Sequence, residues 1–348
     1  MDIIHYNRAA WDREVDGGQS RWTQPVSSEV IARARQGDFR FQYRPDREQT
    51  RAAIVVSAAG RSRRVVSGKI SPQLYCNEGC QAKGDEMNLE LVHESPKGKA
   101  NLTPLLFIHG MWHGAWCWQD HFLPCFAENG YDAYALSLRG HAGSEGHAGL
   151  RWHSISDYVK DVEWAVMQIG RPAVIIGHSM GGYVTQKYLE AHRAPAAVLL
   201  TAVPPVTVWP ATFRVLGRHP FSVIKAIGTL KMYPVIETPQ LAQDALFSRD
   251  MPKEDVEKHH ACMQDESFRA YADMLGINLL RPGRVQTPLL VIGAQQDAVI
   301  GASDIRATAH AYGTEAVIVP GVAHDVMLEA GWRSVAERIV VWLSERGL

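Results

Sequence analysis

The chain has 348 residues, with 36 Lys and Arg against 37 Asp and Glu and 46% apolar residues, a composition that excludes a disordered, collagenous or disulfide-built protein. A formal net charge of −1 gives no general attraction to phosphate or to an anionic surface, so no nucleic acid is expected as a partner. The five cysteines include one isolated CxxxC pair, Cys76 and Cys80, and predict free thiols in a reducing compartment rather than a metal site.

Residues 1–86 hold 14 Lys and Arg, 12 of them Arg, against 11 Asp and Glu, whereas residues 87–348 hold 22 against 26. The first stretch has few apolar runs beyond residues 52–59. Met1-Asp2-Ile3-Ile4-His5 lacks the positive start and apolar core of a signal peptide, and no run is long enough for a transmembrane segment, so the cytosol is the expected location. From Met87 onward a regular alternation begins. Strands are predicted at 88–92, at 105–108 ending in His109-Gly110, and at 133–138 ending in Arg139-Gly140-His141. Apolar residues at Tyr158, Val162, Ala165, Val166 and Ile169 predict a helix over 156–169, closed by Gly170 and Pro172. A strand at 173–176 runs straight into Gly177-His178-Ser179-Met180-Gly181-Gly182, followed by a helix over 182–192 and a strand at 196–201. Residues 206–284 show helical patterns with Pro at 210, 220, 234, 239 and 252 and no convincing buried strand. Alternation resumes with strands at 288–292 and 316–319 and helices at 303–311 and 333–346. The fold class is therefore α/β, a mostly parallel sheet with helices on both faces and an inserted helical cap. The expected division is an extension at 1–86, a core at 87–205 and 285–348, and the cap at 206–284.

Gly177-His178-Ser179-Met180-Gly181 is a GxSxG sequence between a strand and a helix. So tight a turn requires small flanking residues, lifts the Ser179 hydroxyl out of the sheet and sets it at a helix N-terminus, whose partial positive charge favours a developing anion. A serine hydroxyl is a poor nucleophile at neutral pH and needs a base and a group to orient that base. Behind such an elbow they follow in the order acid, then His. Asp297 follows the 288–292 strand across Gly293-Ala294-Gln295-Gln296, and His324 follows the 316–319 strand across Pro320-Gly321-Val322-Ala323. Asp297 also suits a turn or helix cap. Asp325 is the rival acid, though a neighbour of His324 is poorly placed to reach the far ring nitrogen. An oxyanion hole needs two backbone N–H groups. Met180, after the nucleophile, and Met111, in the loop after the 105–108 strand, are the candidates. Trp112 and His113 beside them are the expected pocket wall, and His109 is expected to brace its loop.

Together, His109-Gly110, the elbow from Gly177 to Gly182, Asp297 and Gly321-Val322-Ala323-His324 resemble the α/β-hydrolase superfamily over residues 87–348. His109-Gly110-Met111-Trp112-His113-Gly114-Ala115-Trp116 resembles the HGxxHGxW segment of the plant methylesterase and hydroxynitrile lyase branch. Arg139-Gly140-His141-Ala142-Gly143-Ser144 is similar to the RGHGxS loop of monoglyceride-lipase-like and lysophospholipase-like enzymes, with Ala142 where glycine is usual. The resemblance implies a serine hydrolase acting on a small-molecule carboxylic ester, without metal or organic cofactor. The same triad could serve C–C cleavage, haloperoxidase-like chemistry or cyanohydrin cleavage, and a ligand-binding scaffold with vestigial hydrolysis is a further alternative. Ser179 argues against the aspartate nucleophile of epoxide hydrolases and haloalkane dehalogenases. The cap is expected to line an apolar pocket with Trp209, Phe213, Phe221, Met232, Tyr233, Phe247, Met251, Phe268 and Tyr271.

Residues 5–38 resemble the extreme N-terminus of class I methyltransferases that bind S-adenosylmethionine. The Gly-rich cofactor turn that should follow is missing, since neither Ala59-Gly60-Arg61 nor Gly79-Cys80 has that form. Methyl transfer is not expected. Residues 1–86 read as a non-functional remnant or mispredicted start, the alternative being a docking extension that uses its arginines.

Overall fold

A computed structural model describes residues 64–69 and 87–348. The chain divides after Gly60 into two units, and every described residue lies in the second, Arg61–Leu348. The methyltransferase-like stretch, and all of the 1–86 extension except 64–69, lie outside the described residues.

The strands are β1 Arg64–Lys69, β2 Asn88–Glu94, β3 Leu105–Ile108, β4 Ala133–Leu136, β5 Val174–His178, β6 Ala197–Leu200, β7 Leu289–Ala294 and β8 Ala316–Val319. They form one eight-stranded sheet in the order β1-β2-β4-β3-β5-β6-β7-β8. β2 is antiparallel to both its neighbours, and every pairing from β4 to β8 is parallel. β3, β5, β6 and β7 are buried along their whole length, as a parallel sheet covered on both faces requires. Each fully buried Leu, Ile or Val there contributes about 1.5–3 kcal/mol relative to exposure.

The core helices are α1 Phe122–Glu128, α2 Ile155–Ile169, α3 Ser179–Leu189, α9 Ala302–Ala311 and α10 Trp332–Ser344, with α4 to α8 in the cap. Ser154 starts α2 by accepting the Asp157 N–H while the Asp157 carboxylate accepts the Ser154 N–H, a reciprocal cap. Ile155, Tyr158, Val162 and Ala165 then form its buried face. α2 packs on α3, and α1 on α10. α3 begins at Ser179, three residues before the expected start at Gly182, because the elbow passes from strand to helix with no connecting residue.

From β3 the chain runs to β4 on one side, then returns to β5 on the other. Such a reversal opens a crevice at the C-terminal ends of the strands. The loop after β3 meets the elbow after β5 at that point. Between β6 and β7 the described residues form only helices and turns, including α4 Trp209–Arg218, α5 Pro220–Thr229, α6 Pro239–Leu246, α7 Lys253–His260 and α8 Phe268–Ala272. This cap is tied to the loops at the same end of the sheet: Gln264 Nε2 donates to the Gly140 carbonyl at 2.7 Å, the Asp325 N–H to the Leu246 carbonyl at 3.0 Å, and Arg214 pairs with Asp304 at 2.6 Å.

Candidate active site

The elbow is forced into shape by its neighbours. Ser179 has φ +50°, a left-handed conformation that costs a non-glycine residue on the order of 1–2 kcal/mol. A Cβ on Gly177 would overlap Thr185 Oγ1 and the Gly181 carbonyl, and a Cβ on Gly181 would overlap the carbonyl oxygens of Ile108 and His109. Only glycine lets the elbow press this closely on the end of β3. Gly110 is held the same way, since a Cβ there would lie 2.6 Å from His178 Nδ1 and 2.9 Å from Ser179 Cβ.

His324 Nδ1 lies 2.7 Å from Asp297 Oδ2, and its Nε2 lies 2.9 Å from Ser179 Oγ. An ionised carboxylate can only accept, so the ring proton sits on Nδ1 and Nε2 is left to accept from the Ser179 hydroxyl. The other carboxylate oxygen, Asp297 Oδ1, accepts from the N–H groups of Val299 and Ile300 at 2.7 and 2.8 Å. Asp297 thus fills the turn role and orients His324 at once, one oxygen for each. Burial disfavours the His324 imidazolium, but Asp297 outweighs it and the net shift is upward from 6.5. The His324 carbonyl is itself fixed, accepting from His178 Nε2 at 3.1 Å and Thr201 Oγ1 at 3.0 Å. Such a chain of hydrogen bonds can move a proton off a serine hydroxyl.

Met180 is the second residue of α3, so its N–H is among those a helix start leaves without an intrahelical acceptor. Met111 follows Gly110, whose backbone packs on Ser179. His109 braces its loop: Nε2 accepts from the Leu138 N–H at 3.0 Å, while Nδ1 donates to the Gly110 carbonyl at 2.8 Å.

Trp112 has φ +68° and lines an apolar cavity of about 70 Å³, together with Met111, Ala211, Val223, Met232 and Tyr271. His113 does not join it there. Its ring is buried, Nδ1 stands 2.6 Å from the Met111 carbonyl oxygen, and Nε2 stands 3.0 Å from Asp325 Oδ2. The left-handed turn at Trp112 sends these two consecutive side chains apart. Of the aromatic and methionine residues expected to line the pocket, Met232 and Tyr271 do so, but Trp209, Phe213 and Phe221 are 45%, 60% and 86% exposed. α4 and α5 turn Ala211, Val215, Val223 and Ala226 toward the cavity; Trp209 and Phe213, stacked at 5.5 Å, are left outside. A larger polar cleft of about 1000 Å³ has Asp297 in its wall, with Arg218, Asp244 and Gln295, but neither Ser179 nor His324.

Asp325 is a functional candidate that the sequence reading set aside. Its signal was present: a carboxylate inside Val322-Ala323-His324-Asp325-Val326-Met327-Leu328 must be buried and therefore paired. Glu266 was also missed. Its Oε2 lies 3.0 Å from His141 Nε2, and its Oε1 accepts from Tyr158 Oη at 2.9 Å, tying the cap to the Arg139-Gly140-His141 loop. Among the described residues, His178, His324 and Asp325 bring potential metal-ligating atoms within 4.8 Å of one another, but both His324 nitrogens are already engaged. No helix among the described residues is long and apolar enough to cross a membrane.

The sequence pattern of the Alpha/beta hydrolase family matches residues 105–338. The chain belongs to this family. Within it, the chain is 27% identical over 239 residues to a monoacylglycerol lipase of Mycolicibacterium smegmatis, covering 64% of this chain and 81% of that protein. A non-heme chloroperoxidase of Kitasatospora aureofaciens is 32% identical over 111 residues, only 30% of this chain and 38% of its own length. Among solved structures, an esterase from Thermogutta terrifontis superposes with a TM-score of 0.59 at 19% identity, over 81% of this chain and all of that one. At that identity the likeness concerns the fold of this α/β-hydrolase alone.

Proposed function

We propose that this α/β-hydrolase is a serine esterase working through an acyl-enzyme. One observation carries the reading: Ser179 Oγ, His324 and Asp297 form a continuous hydrogen-bonded chain at a helix start in the sheet's crevice. Ser179 attacks the ester carbonyl while His324 Nε2 takes its proton, and Asp297 stabilises the imidazolium. The N–H groups of Met111 and Met180 hold the oxyanion. The imidazolium then protonates the leaving alcohol, and a water activated by Nε2 releases the acid. No step calls for a metal or organic cofactor.

The apolar cavity beside Met111 suits one short apolar group. One water-sized probe occupies about 10–15 Å³, so about 70 Å³ holds roughly five non-hydrogen atoms. The monoacylglycerol lipase relative supports an ester substrate of this apolar kind. Turnover of p-nitrophenyl acetate, butyrate, octanoate and palmitate tests both points. Butyrate should be the best substrate and Ser179→Ala should lose all turnover; activity that survives this substitution contradicts the nucleophile. The partial match to chloroperoxidase supports a second reading, in which the same three residues serve haloperoxidase-like chemistry. Halogenation of an added acceptor with halide, peroxide and a short carboxylic acid, at a rate exceeding ester turnover, would favour it.

A further inference from the structure

Behind Ser179, His324 and Asp297 lies a second carboxylate–imidazole pair that the steps above leave unused. The side chains of His113 and Asp325 are 1% and 0% exposed, and His113 Nε2 stands 3.0 Å from Asp325 Oδ2 without the alignment of a hydrogen bond. On the other side of the ring, Nδ1 stands 2.6 Å from the Met111 carbonyl oxygen. A carbonyl only accepts, so Nδ1 carries a proton and donates to Met111, while Nε2 faces the carboxylate.

Other titratable groups also face Asp325. His178 Nε2 is 3.6 Å away, but it donates to the His324 carbonyl and its buried Nδ1 has no partner. Burial, helped by His324, holds that ring neutral, with its pKa down to about 3. His324 itself must keep Nε2 unprotonated to accept from Ser179. His259, from α7, is pushed downward by burial. Cys117 and Glu329 are pushed upward by burial and carry no positive charge in either state. For Asp325, burial opposes ionisation, but His113, with His178 and His324 after it, outweighs burial and the net shift is downward.

Asp325 is the neighbour of His324 in the chain, and His113 grips the carbonyl of Met111. The pair therefore joins the loop that carries the base to the loop that carries an oxyanion donor. We propose that His113 and Asp325 are positioning residues, which hold the loop of Met111 against the loop of His324 before substrate arrives. The kinetic part of this inference rests on the serine esterase reading; the labelling of Ser179 by a fluorophosphonate needs no ester substrate.

Two measurements on the full chain test it. The rate at which a fluorophosphonate labels Ser179, which needs no ester substrate, should fall at least about 10-fold in His113→Gln and in Asp325→Asn. Variants labelled at the wild-type rate overturn the proposal whether or not esters are substrates. In kinetics with active sites counted by a fluorophosphonate probe, each variant should lower kcat about 10²-fold, the scale of one lost oxyanion donor. KM should stay within roughly threefold, and affinity for a boronic acid that forms a tetrahedral adduct should fall with kcat. The double variant should be no worse than the worse single one, because the two residues act as a unit. A lowered melting temperature with kcat per active site and boronic acid affinity unchanged would mean a merely structural pair, and would also overturn the proposal. A wild type inert toward every ester would instead sink the esterase reading and leave the labelling rates to decide this one.

Discussion

Replacing Asp297 by asparagine keeps the shape of the side chain and turns one oxygen into a donor. The wild-type carboxylate is fully buried and serves two sides, with Oδ1 accepting from the Val299 and Ile300 N–H groups and Oδ2 accepting from His324 Nδ1 at 2.7 Å. An amide has one oxygen for both. If it stays with the two backbone donors, which would otherwise be orphaned, the NH₂ group faces Nδ1 and can only donate. Nδ1 must then accept, the ring proton moves to Nε2, and Ser179 loses its base. That wrong tautomer is expected to lower kcat about 10⁴-fold, which is about 5 kcal/mol of transition-state stabilisation. The pH profile should move as well. In the wild type Asp297 outweighs burial and raises the His324 pKa above 6.5, so kcat/KM should fall as pH drops through a value above 6.5, where Nε2 becomes protonated. Without the carboxylate, burial prevails and the acid limb should move below 6.5. Rates on p-nitrophenyl butyrate between pH 5 and 9 read both effects. A variant that keeps more than about a tenth of wild-type kcat, or an acid limb that stays in place, would refute the assignment of Asp297.

Gly181→Ala should lower the melting temperature and cost at least about 1–3 kcal/mol, because the new methyl group overlaps the Ile108 and His109 carbonyls; an unchanged melting curve would contradict this close packing. Glu266→Gln breaks the buried pair with His141, at a cost of about 3–5 kcal/mol. Burial lowers the His141 pKa but Glu266 outweighs it, and the folded value lies above 6.5. The stability this shift contributes is therefore full below 6.5 and lost as pH rises through the folded value, so the gap in melting temperature between wild type and variant should narrow toward alkaline pH. Ala226→Phe fills the apolar cavity from α5 and should lower butyrate turnover roughly 10–200-fold relative to acetate; an equal effect on both esters would place the acyl group elsewhere.

Much of the site was legible because its signals are local. A buried strand, a turn of Gly, Ser and Gly, and a helix follow one another without a break from Val174 to Leu189, and Asp297 and His324 each follow a short apolar strand. What escaped the sequence reading depends on direction or on distant partners. α4 and α5 carry apolar residues on two faces, and periodicity does not say that Val215 and Val223 turn inward while Phe213 and Phe221 turn out. His113 stands next to Trp112 in the chain, but the positive φ of Trp112 separates their side chains. The pairing of His141 with Glu266 spans 125 positions and has no local pattern to betray it. Asp325 differs from these, since an acid in an apolar run already demands a buried partner, though His113 could not be named as that partner.

Covalent labelling by a fluorophosphonate tests the nucleophile most directly, because the reagent reports an activated serine without needing the natural substrate. Intact-mass spectrometry and peptide mapping of the folded protein should find one adduct, on Ser179. Ser179→Ala should take up none, and His324→Ala should react at least about 10³-fold more slowly, since its serine has no base. Folded wild-type protein that takes up no label, or takes it up on another residue, would contradict the assignment of Ser179.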